Sequence, residues 1–228
     1  MGRNRTMRAV FLQTRLNSVR LPGKALLPLE GIPLVEWSMR RLKQVQADCY
    51  VLLTCTADAE TLRPYAERCG FELFAGSETD VLNRFAEAAR LYRPDWILRA
   101  TGDNPFVSPV LADETLRQAE AAGADYTVLK EIPTGSSVEA ARTGALLAAE
   151  AAATDPYDRE HVMPYLYRHP ESFTVIGGAP PEGYRSRLSV TVDTEEDYRR
   201  VACWASGLTP ETFSLKHLIA SQPQDGDL

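Results

Sequence analysis

Three cations fall within ten residues of one another in the stretch Gln13-Thr14-Arg15-Leu16-Asn17-Ser18-Val19-Arg20-Leu21-Pro22-Gly23-Lys24. Arg15, Arg20 and Lys24 could spread over the charges of a triphosphate, the arginines by bidentate contact and the lysine as a point charge. The stretch is neither the phosphate loop GxxxxGK[ST] nor the dinucleotide fingerprint GxGxxG. Taken alone, it reads equally as a solvated basic loop.

Two carboxylates invite a second reading. Thr101-Gly102-Asp103-Asn104-Pro105 follows an apolar, strand-like run. A carboxylate there is placed to hold Mg²⁺ against phosphate oxygens, since Mg²⁺ takes one or two carboxylates plus phosphates and waters. The alternative is a turn former before Asn-Pro. Asp193 lies in Thr191-Val192-Asp193-Thr194-Glu195-Glu196-Asp197. It could cap the helix that follows, but Thr194 and Asp197 already form the [ST]xx[DE] capping box. That leaves Asp193 free for another task.

Further candidates are less specific. In Gly76-Ser77-Glu78-Thr79-Asp80-Val81-Leu82-Asn83-Arg84-Phe85, Ser77 reads as a helix N-cap with Asp80 as its box partner. Arg84, one turn on, faces phosphate or solvent. The amide of Gln13, at the end of the first strand, could read the edge of a pyrimidine ring. His161 is a lone histidine in Arg159-Glu160-His161-Val162-Met163-Pro164-Tyr165, and most such histidines are structural. Glu139 is either a site residue or a surface strand carboxylate.

These residues need elements to carry them. Strand-like runs at 8–14, 50–55, 71–75 and 95–100 alternate with helical patterns at 33–44, 58–69, 78–91 and 108–122. Val81, Leu82, Phe85, Ala88, Ala89 and Tyr92 repeat at the helical period. The alternation predicts an α/β protein in three layers, a mostly parallel mixed sheet with helices on both faces. Ligands in such folds bind beyond the carboxyl ends of the strands, so the loops after 14, 55, 75 and 100 are the ones to read for function. After residue 123 the pattern changes. Strands at ADYTVLK and SSVEAA, helices at 142–152 and 157–168, and a strand at FTVIGG suggest an accessory region over 124–185. RLSVTV at 187–192 reads as a strand, a helix follows from Thr194 to about Ala205, and a polar tail follows Ser221. A single domain over 1–228 is expected.

Composition narrows the classes. With 228 residues the chain can bury about 70% of the surface its unfolded form exposes. Twenty-five Lys and Arg against 31 Asp and Glu give a net charge of −6, which argues against a nucleic-acid binder. No apolar run approaches the roughly 18 residues of a membrane helix, so no membrane partner is expected. Gly2–Thr6 fits the myristoylation pattern, but a strand begins at once after it and acylation is not expected. The four cysteines form no CxxC pair and suit a reducing cytoplasm.

The pieces QTRLNSVRLPGKALLPLEGIPL, GSETDVLNRF, TGDNP, DPYDREHVMPYLY and RLSVTVDTEED occur in an order and spacing that resemble the SpsF-type cytidylyltransferases of spore-coat polysaccharide biosynthesis. These are relatives of the CMP-Kdo and acylneuraminate synthetases. The resemblance covers nearly the whole chain to about residue 205. It implies a GT-A/Rossmann-like nucleotidyltransferase fold, a homodimer with its contact in residues 130–180, and a role in activated-sugar or polysaccharide biosynthesis. It implies that CTP and a sugar-acid-like acceptor are the substrates. By the same likeness Asp103 and Asp193 bind Mg²⁺. Arg15, Arg20 and Lys24 grip phosphates, with Arg15, Lys24, Asp103 and Asp193 catalytic. Gln13, Thr14, Ser77, Asp80 and Thr101 line the nucleotide pocket, and Arg84, Glu139 and His161 serve the acceptor.

The chain departs from the family pattern at two places. The first loop usually reads QARMGS, and here Asn17 replaces the glycine; asparagine is the next most tolerant of left-handed backbone. The sugar-side strand usually reads PxGLDVE; here it is PTGSSVE, with Ser137 in place of an acid. A different acceptor, or weaker acceptor binding, is the expected consequence. A GT-A glycosyltransferase and a non-catalytic nucleotide-binding protein are the alternatives, the first disfavoured because TGDNP carries one acid where DxD is usual.

Overall fold

The computed structural model describes residues 5–222; Gly2 of the acylation pattern and the tail beyond 222 lie outside them. A seven-stranded sheet runs in the order β5-β4-β1-β6-β8-β7-β9. Four strands are parallel: β1 (Arg8–Gln13), β4 (Cys49–Cys55), β5 (Glu72–Gly76) and β6 (Trp96–Thr101). β8 (Glu139–Arg142) is antiparallel to β6 and to β7 (Tyr126–Leu129), and β9 (Val175–Gly178) runs parallel to β7. Residues 124–185, expected as an accessory region, thus supply three strands to the same sheet.

The central strands are apolar on both sides because both faces are covered. Along β1, Val10 and Leu12 enter one core and Ala9 and Phe11 the other, the two-residue alternation of a strand. The first core takes Val35, Met39 and Leu42 of α1 (Leu34–Leu42), Leu62 of α2 (Ala59–Arg68), and Ala112 and Leu116 of α4 (Pro109–Ala122). The second takes Leu82 and Phe85 of α3 (Val81–Tyr92), Leu146 of α5 (Thr143–Ala152) and Leu166 of α7 (Pro164–Arg168). A third core joins Trp37, Phe106 and Phe213 to Val190, Val192 and Val201, with the Phe106 and Phe213 rings stacked at 3.8 Å. It clamps the segment that leads into α8 (Glu195–Ala205).

Two expected elements are corrected. The helix read over 157–168 is two, α6 (Pro156–His161) and α7, because Val162 takes a left-handed φ of 75° and Pro164 has no amide proton to continue a helix. RLSVTV is extended but joins no strand of the sheet. Its amides and carbonyls pair with loops instead, Val190 N with Thr134 O at 2.9 Å and Val192 N with Asp103 O at 2.9 Å. Two features were not anticipated, a small hairpin of β2 (Pro28–Leu29) and β3 (Ile32–Pro33), and α9 (Leu215–Ser221), capped by Ser214. No described helix is long and apolar enough to cross a membrane.

Candidate active site

β1 and β6 lie side by side with Gln13 opposite Thr101, so the loops that follow them start together at the carboxyl edge. The Gly102 amide donates to Gln13 O at 2.9 Å. A Cβ on Gly102 would lie 2.7 Å from Thr14 Oγ1, so only glycine lets the two loops come this close. Thr101 Oγ1 donates to Asp103 Oδ1 at 2.7 Å and accepts from Asn104 Nδ2 at 2.7 Å, which fixes the Asp103 carboxylate.

Asp193 arrives from the far end of the chain. The Val192–Asp103 backbone bond ties its segment to the β6 loop. The capping box forms as the sequence suggests: Thr194 Oγ1 accepts from Asp197 N at 3.2 Å, and Asp197 Oδ2 accepts from Thr194 N at 2.9 Å and from Asp193 N at 3.1 Å. Burial pushes the Asp197 carboxyl up, but the bonds from Arg200 and Thr194 outweigh it and hold it down at about 2. The Asp193 side chain is therefore free of capping duty. It meets Lys24, whose ammonium donates to Asp193 Oδ1 at 2.8 Å, Asp103 Oδ2 at 2.8 Å and Val192 O at 2.9 Å.

Lys24 reaches this position because Gly23, at φ 67°, turns the chain into a single 3-10 turn over Lys24–Leu26. The basic loop is closed by Gly23 N to Leu16 O at 3.2 Å and anchored by Leu16 N to Asp58 Oδ2 at 2.8 Å. Arg20 lies 3.2 Å from Asp193, and Arg15 lies 3.7 Å from Glu160; both are largely exposed. Asn17 is not left-handed, so this loop does without a glycine there.

Together these groups line a cleft of about 390 Å³. Gln13, Thr14, Arg15, Arg20, Lys24 and Thr101 face it, as do Asp103, Asp193, Arg84 and His161. Arg84 is only 4% exposed and makes no ion pair among the described residues. It donates from one terminal nitrogen to Ser77 O at 2.7 Å and leaves its Nε without a partner. Burial lowers its pKa, helped by the charge of Arg15.

Three expected site residues lie elsewhere. Asp80, not Ser77, is the N-cap of α3: its carboxylate accepts from Asn83 N at 2.9 Å and pairs with Arg159 at 2.9 Å. Ser77 Oγ accepts from Asp80 N at 3.0 Å, an amide that lies before the helix, and Ser77 itself stands three residues ahead of the N-cap. Neither faces the cleft. Glu139 is turned to Arg99 of β6, with which it forms an ion pair, and to the Tyr126 hydroxyl at 2.5 Å. Arg99 in turn donates from Nε to Gln13 Oε1 at 3.0 Å and lines the cleft. Arg99 went unread in the sequence, although a charge inside the apolar run WILRAT was a signal for it. So did Asp58, which sits on a loop the carboxyl-edge rule singles out.

Comparison with known proteins gives the family and the fold. The family described as "Cytidylyltransferase" matches residues 9–207. The spore coat polysaccharide biosynthesis protein SpsF of Bacillus subtilis is 35% identical over 199 residues, 84% of this chain and 83% of that protein. The 3-deoxy-manno-octulosonate cytidylyltransferase of Chlorobium luteolum is 36% identical over 110 residues, 47% of this chain and 43% of that one. Among solved structures, a cytidylyltransferase from Leptospira borgpetersenii superposes with a TM-score of 0.84 at 26% identity, covering 95% of this chain and 93% of that one. The chain belongs to the cytidylyltransferase family and has its α/β nucleotidyltransferase fold.

Proposed function

We propose that this protein transfers CMP from CTP to the hydroxyl of a sugar acid or related acceptor, releasing pyrophosphate, in the making of an activated sugar for polysaccharide synthesis. The observation that carries the reading is the convergence of Asp103 and Asp193 on Lys24, inside a cleft walled by Arg15 and Arg20. The donor set fits Mg²⁺. Lys24 already places a cation among three oxygens, two carboxylate and one carbonyl, and Mg²⁺ takes few carboxylates and completes its shell with phosphates and water. Asp103 and Asp193 would hold it. A divalent ion bound there would draw charge from the α-phosphate and lower the pKa of the acceptor hydroxyl.

The remaining work is positional and electrostatic. Arg15 and Arg20, with Lys24 once a metal ion replaces it between the carboxylates, bind the β- and γ-phosphates and stabilise the departing pyrophosphate. Thr101 keeps the Asp103 carboxylate aimed. Gln13 and Thr14 meet the nucleoside, while Arg84 and His161, which line the same cleft, receive the acceptor. An ion-unpaired, buried guanidinium such as Arg84 favours an anionic group on that acceptor. We read the chain as one nucleotidyltransferase domain, acting as a cytoplasmic homodimer through residues 130–180.

The test is a matrix of four nucleoside triphosphates against sugar acids and sugar phosphates, with pyrophosphate as readout. CTP with an acidic sugar should give signal. A flat matrix from folded, CTP-binding protein would reject the transfer, and turnover of a nucleotide-sugar without pyrophosphate would mark a glycosyltransferase.

A further inference from the structure

Four neighbouring strands carry a continuous chain of polar side chains that ends at the cleft. The Tyr126 hydroxyl on β7 donates to Glu139 Oε1 on β8 at 2.5 Å, Arg99 on β6 pairs with Glu139 Oε2, and Arg99 Nε donates to Gln13 Oε1 on β1 at 3.0 Å. Burial and the neighbouring Glu139 push the Tyr126 pKa up, so its phenol keeps the proton it donates. Arg99 and Glu139 are mostly buried. A buried ion pair is a weak source of stability compared with apolar packing, so its presence here asks for another reason.

We infer that Arg99 is a positioning residue that locks the Gln13 amide and so makes the protein choose cytosine over uracil. This inference rests on the cytidylyl-transfer reading. An arginine has donors and no acceptor, so the amide atom that faces it must be the oxygen. The Gln13 nitrogen, with its two N–H groups, is then the part left for the cleft that Gln13 lines. A free glutamine could rotate by half a turn and offer its oxygen instead; this one cannot without breaking its bond to Arg99. Cytosine carries acceptors at O2 and N3. Uracil carries a hydrogen on N3. A donor fixed against that position pairs with cytosine and meets another donor in uracil, and discrimination of this kind works by leaving buried polar groups unpaired in the wrong complex. Glu139 holds the arginine in place and has both oxygens taken, which accounts for its absence from the cleft.

The test is calorimetric titration of CTP and of UTP, with Mg²⁺, into the full chain. The wild type should prefer CTP. Arg99→Lys keeps a donor-only neighbour and should keep that preference. Arg99→Gln combined with Glu139→Gln removes the buried charges as a pair and frees the Gln13 amide; the UTP-to-CTP ratio of Kd should fall at least about tenfold, the scale of one unpaired buried donor. Gln13→Glu, an acceptor-only side chain that Arg99 would still hold, should weaken CTP at least about tenfold. Equal weakening of both nucleotides in the double variant would mean that Arg99 only supports the strand ends and would overturn the inference, as would Gln13→Glu with wild-type CTP affinity. A wild type that does not distinguish CTP from UTP would instead reject the cytidylyl reading itself.

Discussion

The Lys24 ammonium lies 2.8 Å from a carboxylate oxygen of Asp103 and 2.8 Å from one of Asp193, so one cation bridges two acids drawn from distant parts of the chain. Its removal leaves like charges facing one another with only the exposed Arg20 nearby, and like charges at close range disfavour the charged pair. Lys24→Met should therefore melt at lower temperature than the wild type in EDTA and regain most of the loss in millimolar Mg²⁺ or Mn²⁺. The wild type, whose acids already share a cation, should respond less. Thermal melts with and without the ion decide it; equal ion responses in the two proteins would count against a shared cation position.

Asp103 and Asp193 are expected to act in the transition state rather than in binding alone. Asp103→Asn and Asp193→Asn should each cost at least about 10²-fold in kcat, the size of losing one preorganised electrostatic contact. Steady-state pyrophosphate release measures it. A variant at near-wild-type rate would remove that carboxylate from the mechanism.

The sequence was most legible where one residue type served one geometric purpose. The alternation of apolar runs with helical patterns predicted β1, β4 and β6, because strands buried on both faces leave a continuous signal, and also the half-exposed edge strand β5. The capping box at Thr194 was readable because both of its partners are local, and it correctly released Asp193 from capping. Partners across the sheet were not readable. Asp80 caps its helix and binds Arg159, which sits on another element, and Glu139 answers to Arg99 on the neighbouring strand. No local pattern distinguishes a carboxylate aimed at substrate from one aimed at a distant arginine. RLSVTV has the residues of a strand, but its partners are the loops at Thr134 and Asp103, so the tertiary setting decides its state.

Asp197 links the cap of α8 to the position of Asp193, whose amide it accepts. Asp197→Ala should lower stability by about 1 kcal/mol, the usual worth of such a cap. The pH dependence has a definite sign. The folded carboxyl sits at about 2, below the ordinary value near 4 of an unfolded chain, so its contribution is complete above that ordinary value and is lost as pH falls through about 2. Denaturant midpoints for wild type and variant should differ most near neutrality and converge as pH approaches about 2. A gap that stays constant down to that pH would show that Asp197 acts through packing and not through its charge.

Gly102 stands between strand end and carboxylate, and its missing Cβ tests how closely the two loops must approach. An added methyl would lie 2.7 Å from Thr14 Oγ1 and 2.8 Å from Thr14 Cβ, so something must move. Gly102→Ala should cost about 1–3 kcal/mol as overpacking and should lower kcat further than that loss of stability alone would, because Asp103 is the next residue and shifts with it. Since the contact involves Thr14 Cβ as well as Oγ1, Thr14→Ala cannot relieve it, whereas Thr14→Gly can. The double variant Gly102→Ala with Thr14→Gly should recover stability relative to Gly102→Ala, measured by thermal melt. It should recover part of the rate as well, measured by pyrophosphate release. If the double variant is no better than Gly102→Ala, the close packing of these two residues does not set the position of Asp103.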